Sequence, residues 1–210
     1  MTSGGGSHHL QGDPGAGRME AARAAVRECT RCSLCGTRTN AVPGIGSGES
    51  GVMFVGEAPG RSEDLRGRPF VGRAGRVLTR VLEEAGVPRE SVYITNTVKC
   101  RPPQNRVPNQ SERDACRPHL DAEISMIRPD IICIMGNTAY RSILGGAAGI
   151  TDKRGSVVRK DGMLYFLTVH PAAVIYNPDL AGVLAADIKR LFEVQKEIRA
   201  GREVACDGPA

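Results

Sequence analysis

Four short runs in this chain read as strands, and all but SVYITNTVK have no polar face. They are GVMFVG (51–56), SVYITNTVK (91–99), DIICIMG (130–136) and the arm MLYFLTV (163–169). A strand apolar on both sides must be covered on both sides, which is the habit of parallel sheets buried under helices. The intervening segments read as those helices: AGRVLTRVLEEAG with Gly86 as its stop, NQSERDACRPHLDAEISMIRP capped by Asn109 or Ser111, NTAYRSILGG, and a closing helix from Leu180 to about Gly201. Pro118 lies early enough in its helix to be tolerated or to bend it. GSVVRKDGMLYFLTVHP reads as a hairpin around Asp161-Gly162 whose second arm enters the sheet. The expected fold is α/β: a three-layer α/β/α sandwich around a central, mainly parallel four-stranded sheet.

The 210 residues suit one domain. With aromatics at 4% and no tryptophan, aliphatic side chains must fill the core. Residues 1–17 hold little to bury and are expected to be disordered, with His8 and His9 no ligands. The single domain should span 18–200, opening on a helix at MEAARAAVREC, and 201–210 should be a flexible tail. No apolar run nears the roughly 20 residues of a membrane span. The first residues lack a secretory pattern, so a cytoplasmic protein with reduced thiols is expected. The net charge of +5 suits a polyanion partner or simple solubility, and the arginine excess (23 against 5 lysines) accompanies high Ala and Gly as a compositional bias.

In open α/β sheets ligands sit beyond the carboxyl ends of the strands. That rule brings GEAPG (56–60), TNTVKC (95–100), MGNTA (135–139) and HPAA (170–173) to one rim. Cys29, Cys32 and Cys35 form C-x2-C-x2-C in a Gly-rich loop, where a bacterial ferredoxin would supply a nearby fourth cysteine. Position 39 is Thr39, so further ligands must come from Cys100 and Cys116, and spacing alone leaves Cys35 an equal candidate. Thiolates select zinc or iron–sulfur. Cys133, in an apolar strand, reads as a buried inert thiol, and Cys206 as free. Glu57 sits in a Gly-Pro turn and is either solvated or faces the crevice. Phe70 either plugs the core or stacks on a flat ligand. The backbone at GRAG (72–75) opens a helix and is a natural phosphate holder. Asn96 either caps its turn or reads a ligand edge. His170 follows a strand end, where an imidazole can meet developing negative charge, whereas His119 reads as a surface residue.

Taken in order, C-T-R-C, GEAPGRSED, GRPFVGRAG, YITNTVKCRPPQNR, a later Cys116 and HPAAVIYNP resemble the family-4 uracil-DNA glycosylases, the iron–sulfur type. The resemblance runs from about Cys29 to Phe192. It implies a uracil-DNA glycosylase-like fold and a structural [4Fe–4S] cluster on Cys29, Cys32, Cys100 and Cys116, with Cys35 a bystander. It also implies a DNA repair enzyme that flips uracil out of single- or double-stranded DNA and hydrolyses its glycosidic bond, leaving an abasic site.

By the same resemblance, Phe70 stacks on the base, Asn96 reads its O4 and N3–H edge, and Glu63 lies near C5. His170 donates to O2 as charge grows, and Glu57 orients water or stabilises the sugar cation. Many uracil glycosylases carry Asp where this chain has Ala58, which shifts the carboxylate role to Glu57. Val174 and Ile175 are expected as the wedge that fills the emptied stack, with packing under their loop as the alternative, and Arg73 and Lys99 as phosphate contacts. A related branch that bonds covalently to DNA has a His-bearing insertion after its TN motif, absent here, so turnover without adducts is expected. A cytoplasmic, nucleoid-associated monomer follows, with a sliding clamp a conceivable partner. The alternative reading is a non-catalytic iron–sulfur DNA-binding module of the same fold.

Overall fold

The computed structural model describes residues 14–145 and 149–207. The chain opens with helix α1 (Pro14–Arg27), four residues before the expected boundary, and the rest of the expected N-terminal tail lies outside the described residues. The cysteine loop follows. Then come β1 (Val52–Gly56), α2 (Arg61–Arg66), α3 (Arg73–Glu84), β2 (Tyr93–Asn96), α4 (Gln110–Ile127), β3 (Ile131–Met135), α5 (Asn137–Leu144), α6 (Ile150–Lys153), β4 (Val157–Lys160), β5 (Met163–Thr168), α7 (Pro171–Tyr176) and α8 (Leu180–Arg199).

The sheet runs in the order β2-β1-β3-β5-β4. The first four of these are parallel, and β4 pairs antiparallel with β5. The sheet therefore has five strands rather than four. Both arms of the hairpin join it, because Asp161 (φ 49°) and Gly162 (φ 81°) form a tight two-residue turn that leaves β4 in register as the edge strand.

Both sheet faces are covered, as the apolar runs require. Val52 and Phe54 point into one core with Leu78 and Leu82 of α3 and Leu184, Ile188 and Leu191 of α8. Met53 and Val55 point into the other, with Leu120 of α4 and Tyr140, Ile143 and Leu144 of α5. This alternation along β1 follows from the two-residue period of a strand. A third, smaller cluster joins Val26, Leu34, Ala41 and Val98 around Cys100 and Cys116, so the cysteine loop has its own apolar footing.

Asn109 is the cap of α4: its side chain accepts from the Glu112 amide (2.9 Å), and Glu112 accepts in return from the Asn109 amide (2.9 Å). Arg106 grips the same carboxylate with two nitrogens (2.6 and 2.8 Å), which holds the Glu112 carboxyl at a pKa of about 2. The expected flexible C-terminal tail is instead docked as far as Asp207. The Asp207 amide donates to the Val157 carbonyl (2.8 Å), the Val157 amide donates to the Asp207 carboxylate (2.9 Å), and Val204 is buried. These bonds cover the edge of β4, which would otherwise present unpaired backbone. Among the described residues no helix is long and apolar enough to cross a membrane.

Candidate active site

Three of the four segments expected at the rim line a pocket of about 200 Å³; MGNTA does not, and its Gly136 packs against His170 instead. The walls of the pocket are Ala58, Gly60 and Glu63 after β1, Phe70 and Ala74 before and within α3, Asn96 at the end of β2, Asn105, and His170 and Ala172 at the start of α7. At the roughly 30 Å³ each molecule occupies in liquid water, the space equals about seven waters, enough for one flat heterocycle.

Asn96 pairs in register with Gly56 across the β1–β2 ladder. A Cβ at Gly56 would lie 2.6 Å from the Asn96 Oδ1 and 2.6 Å from the Phe70 Cζ, so glycine is what lets the amide and the ring meet there. Asn96 is 1% exposed, and its Oδ1 is buried without a hydrogen-bond partner among the described residues. An orphaned buried acceptor is costly, which marks it as waiting for a donor from outside the protein.

Phe70 takes a left-handed backbone (φ 51°), an outlier for an aromatic residue that a fold keeps only where its surroundings enforce it. Arg89 donates to the Phe70 carbonyl (2.9 Å) and to Thr79 Oγ1 (3.0 Å). Gly75 makes room for that carbonyl, which an added Cβ would meet at 1.8 Å. Glu63 Oε1 then catches the amides of Val71 (2.9 Å) and Gly72 (2.7 Å), while its Oε2 takes the Gly60 amide (3.1 Å). Glu63 thus lines the pocket and ties its two loops together. It also takes the Gly72 amide, one of the backbone donors that the GRAG segment was expected to offer a phosphate. Arg89 and Asn105 are site residues that sequence reasoning missed. Arg89 stands in no recognisable motif; Asn105 lies in the run YITNTVKCRPPQNR with no role assigned to it, and is aimed by a left-handed pair at Gln104 and Asn105.

The His170 ring lies 5.7 Å from that of Phe70, tilted by 32°. Its Nδ1 accepts from the Ala172 amide (3.1 Å) at the first turn of α7. The neutral ring therefore carries its proton on Nε2 and can donate it. Desolvation in the pocket wall pushes its pKa down to about 4, against a smaller upward pull from Glu63.

Glu57 does not line the pocket. Its carbonyl accepts from the Thr97 hydroxyl (2.6 Å) and the Val98 amide (3.3 Å), which pins the turn beside the rim, while its half-buried carboxylate has no hydrogen bond among the described residues. Arg73 is exposed at the start of α3. One expectation needs correction. Lys99 is 1% exposed and cannot reach a phosphate. Its ammonium is held by Glu123 Oε2 (2.6 Å), Thr95 Oγ1 (2.6 Å) and the Asn96 carbonyl (2.9 Å). Val174 is half-buried and packs against the core, which favours the packing reading over the wedge. Ile175 stays half-buried beside it, and Tyr176, at 86% exposure, is the free aromatic of that helix.

Cys29, Cys32, Cys35, Cys100 and Cys116 line a second, small cavity together with Arg38, Lys99 and His119. His119 is buried here rather than on the surface, and its Nε2 has no partner among the described residues. Burial raises the Cys100 thiol and pushes Cys116 up to about 11. Arg38 Nη1 lies 3.0 Å from Cys100 Sγ, and the Lys99 amide 3.2 Å from Cys116 Sγ. Donors aimed at sulfur support thiolates, so an all-sulfur set with such second partners fits zinc or an iron–sulfur group. Among the described residues no group of three or more His, Cys, Asp or Glu is set to hold a single metal ion. Cys133 is buried and Cys206 exposed, as read from the sequence.

Residues 43–192 match the uracil DNA glycosylase superfamily. The chain is 43% identical over 185 residues to the type-4 uracil-DNA glycosylase of Sulfurisphaera tokodaii, covering 84% of each protein. It is 45% identical over 177 residues to that of Saccharolobus solfataricus (80% of this chain, 82% of the relative). For the Archaeoglobus fulgidus protein of the same description the identity is 41% over 187 residues (84% and 94%). The pocket, the cysteine set and these likenesses agree, and the chain belongs to the type-4 family of the uracil-DNA glycosylase superfamily.

Proposed function

We propose that this chain removes uracil from DNA by hydrolysing the bond between base and sugar, leaving an abasic site for base excision repair. The observation that carries this reading is the buried, partnerless Oδ1 of Asn96 opening onto a pocket sized for one base. A base inside a duplex cannot enter such a pocket, so the nucleotide must swing out of the stack. In the pocket the Asn96 Oδ1 accepts from N3–H of uracil and the amide nitrogen donates to O4. Cytosine presents the reverse order, and leaving the buried amide unpaired discriminates strongly against it. Phe70 stacks on the ring, Ala58 and Ala74 leave room for it, and Glu63 closes the side toward C5.

Bond breaking leaves negative charge on the base and positive charge on the sugar. His170, neutral and with its proton on Nε2, donates to O2 as that charge develops, and a fixed dipole there acts on the transition state. Glu57, unpaired at the rim, directs water or faces the sugar cation. Ile175 and Tyr176 offer apolar surface to the emptied stack, and Arg73 meets a phosphate. In this reading the protein works as a monomer at the nucleoid.

The cysteine cavity suits a [4Fe–4S] cluster on Cys29, Cys32, Cys100 and Cys116, with Cys35 a bystander. Bound there, the cluster would supply structural cross-links between the loop, β2's extension and α4. Single-turnover excision from a uracil oligonucleotide tests the reading. Asn96→Ala and His170→Ala should each slow it by about 10²-fold or more. Full activity of the double variant would refute the assigned roles.

A further inference from the structure

A groove of about 610 Å³ lies beside the cysteine cavity, lined by Arg27, Cys35, Arg38, Thr39, Asn40, Ala41, Arg66 and Gly67. Three of these are arginines and none is acidic. Arg38 and Cys35 line both the groove and the cysteine cavity. We propose that this groove is a subsite for DNA backbone phosphates, set at a fixed distance from the base pocket, and that the cysteine loop is thereby a DNA-binding element as well as a structural one. It rests on the DNA-acting reading above.

The groove is built rather than accidental. Buried Asp64 of α2 accepts the amides of Thr39 (2.8 Å) and Asn40 (3.2 Å) through Oδ1. Asn40 Nδ2 donates back to the carbonyls of Asp64 (2.7 Å) and Leu65 (3.3 Å). These bonds fasten the cysteine loop to α2. The same helix carries the pocket residue Glu63 near its start and Arg66 at its end. Glu63 and Arg66 are three residues apart, about 4.5 Å along the helix axis. That is roughly one nucleotide step along one strand at 3.4 Å each. A strand whose base enters the pocket can therefore set an adjacent phosphate in the groove.

The donors are available for this. Arg66 makes a single long bond, to the Val71 carbonyl (3.4 Å), and that carbonyl adjoins Phe70. Among the described residues the Arg27 guanidinium is engaged by Glu20 alone (2.7 Å), at the exposed surface where such a pair is worth little. Arg38 spends two N–H groups, on Cys100 Sγ (3.0 Å) and the Arg27 carbonyl (2.9 Å), of the five a guanidinium carries. The planar fork suits phosphate oxygens.

The test uses undamaged single-stranded DNA, labelled for anisotropy, across a salt series with cluster-loaded protein. Removing one arginine–phosphate pair should flatten the slope of log K against log salt by about 0.7. Arg66→Gln should do so once, and Arg27→Gln/Arg66→Gln should flatten it by about 1.4. Arg190→Gln, an exposed arginine of α8, should leave the slope unchanged. A double variant with the wild-type slope overturns the proposal, as does an equal effect of Arg190→Gln, which would mean diffuse charge only. Since no uracil is present, flattening by the double variant in a protein that excised no uracil would keep the groove and sink the glycosylase reading instead.

Discussion

Replacing Lys99 by methionine separates an interior role for this residue from a phosphate-binding one. Its ammonium has three partners, all inside the protein: Glu123, Thr95 and the Asn96 carbonyl. Glu123 is 3% exposed, and its second oxygen accepts the Gly44 amide (2.8 Å). Methionine matches the length of the lysine stem but leaves Glu123 as a buried charge without a counter-ion. Breaking one side of a buried pair costs about 3–5 kcal/mol. At roughly 2–4 °C per kcal/mol for a domain of this size, the thermal midpoint should fall by about 6–20 °C. In Lys99→Met/Glu123→Gln the orphan charge is gone and an acceptor for Gly44 remains, so most of the loss should return. Circular dichroism melts at matched iron content read both effects. A Lys99→Met protein within about 1 kcal/mol of the wild type, with a flattened salt dependence of DNA binding, would refute the burial argument and restore the phosphate contact.

Three further outcomes are expected. The folded pKa of His170 is pushed to about 4 while the unfolded value is 6.5, so the folded state takes up its proton later. Stability from this residue is full above pH 6.5 and falls by about 3 kcal/mol as pH drops to 4. An NMR titration of the ring with a midpoint near 6.5 would contradict that. Gly56→Ala drives a methyl to 2.6 Å from both Asn96 Oδ1 and Phe70 Cζ, so overpacking should cost about 1–3 kcal/mol of stability and the displaced amide and ring should lower kcat/KM for uracil DNA. An unchanged kcat/KM would mean that the amide and ring do not meet over Gly56. Cys35→Ser should keep full iron content and the visible absorbance of the cluster, while Cys116→Ser should lose both; the opposite pattern would exchange the two ligands.

The strands and the rim were legible because burial on both faces leaves runs such as IICIM with no polar position, and strand ends of a parallel sheet share one edge. The Asp161-Gly162 turn and the Asn109 cap were legible because each depends on residues within a few positions. The fate of Lys99 was not, since it is decided by a glutamate 24 positions away that only the packing of α4 brings beside it. The same holds for His119, whose helix turns it toward the cysteines, and for the tail, whose docking depends on the free edge of β4. Val174 and Tyr176 differ by two residues on one short helix, and only the packing of α7 shows which faces inward. The clamp of Arg89 on Phe70 leaves no sequence mark, because it acts through backbone carbonyls.

The central claim is tested most directly by incubating the cluster-loaded protein with a labelled single-stranded oligonucleotide carrying one uracil, then cleaving abasic sites with alkali. The account predicts alkali-dependent cleavage at the uracil alone, none at cytosine or thymine, no strand break before alkali and no protein–DNA band on a denaturing gel. An oligonucleotide left intact by protein of full iron content would contradict it and favour a DNA-binding module without catalysis.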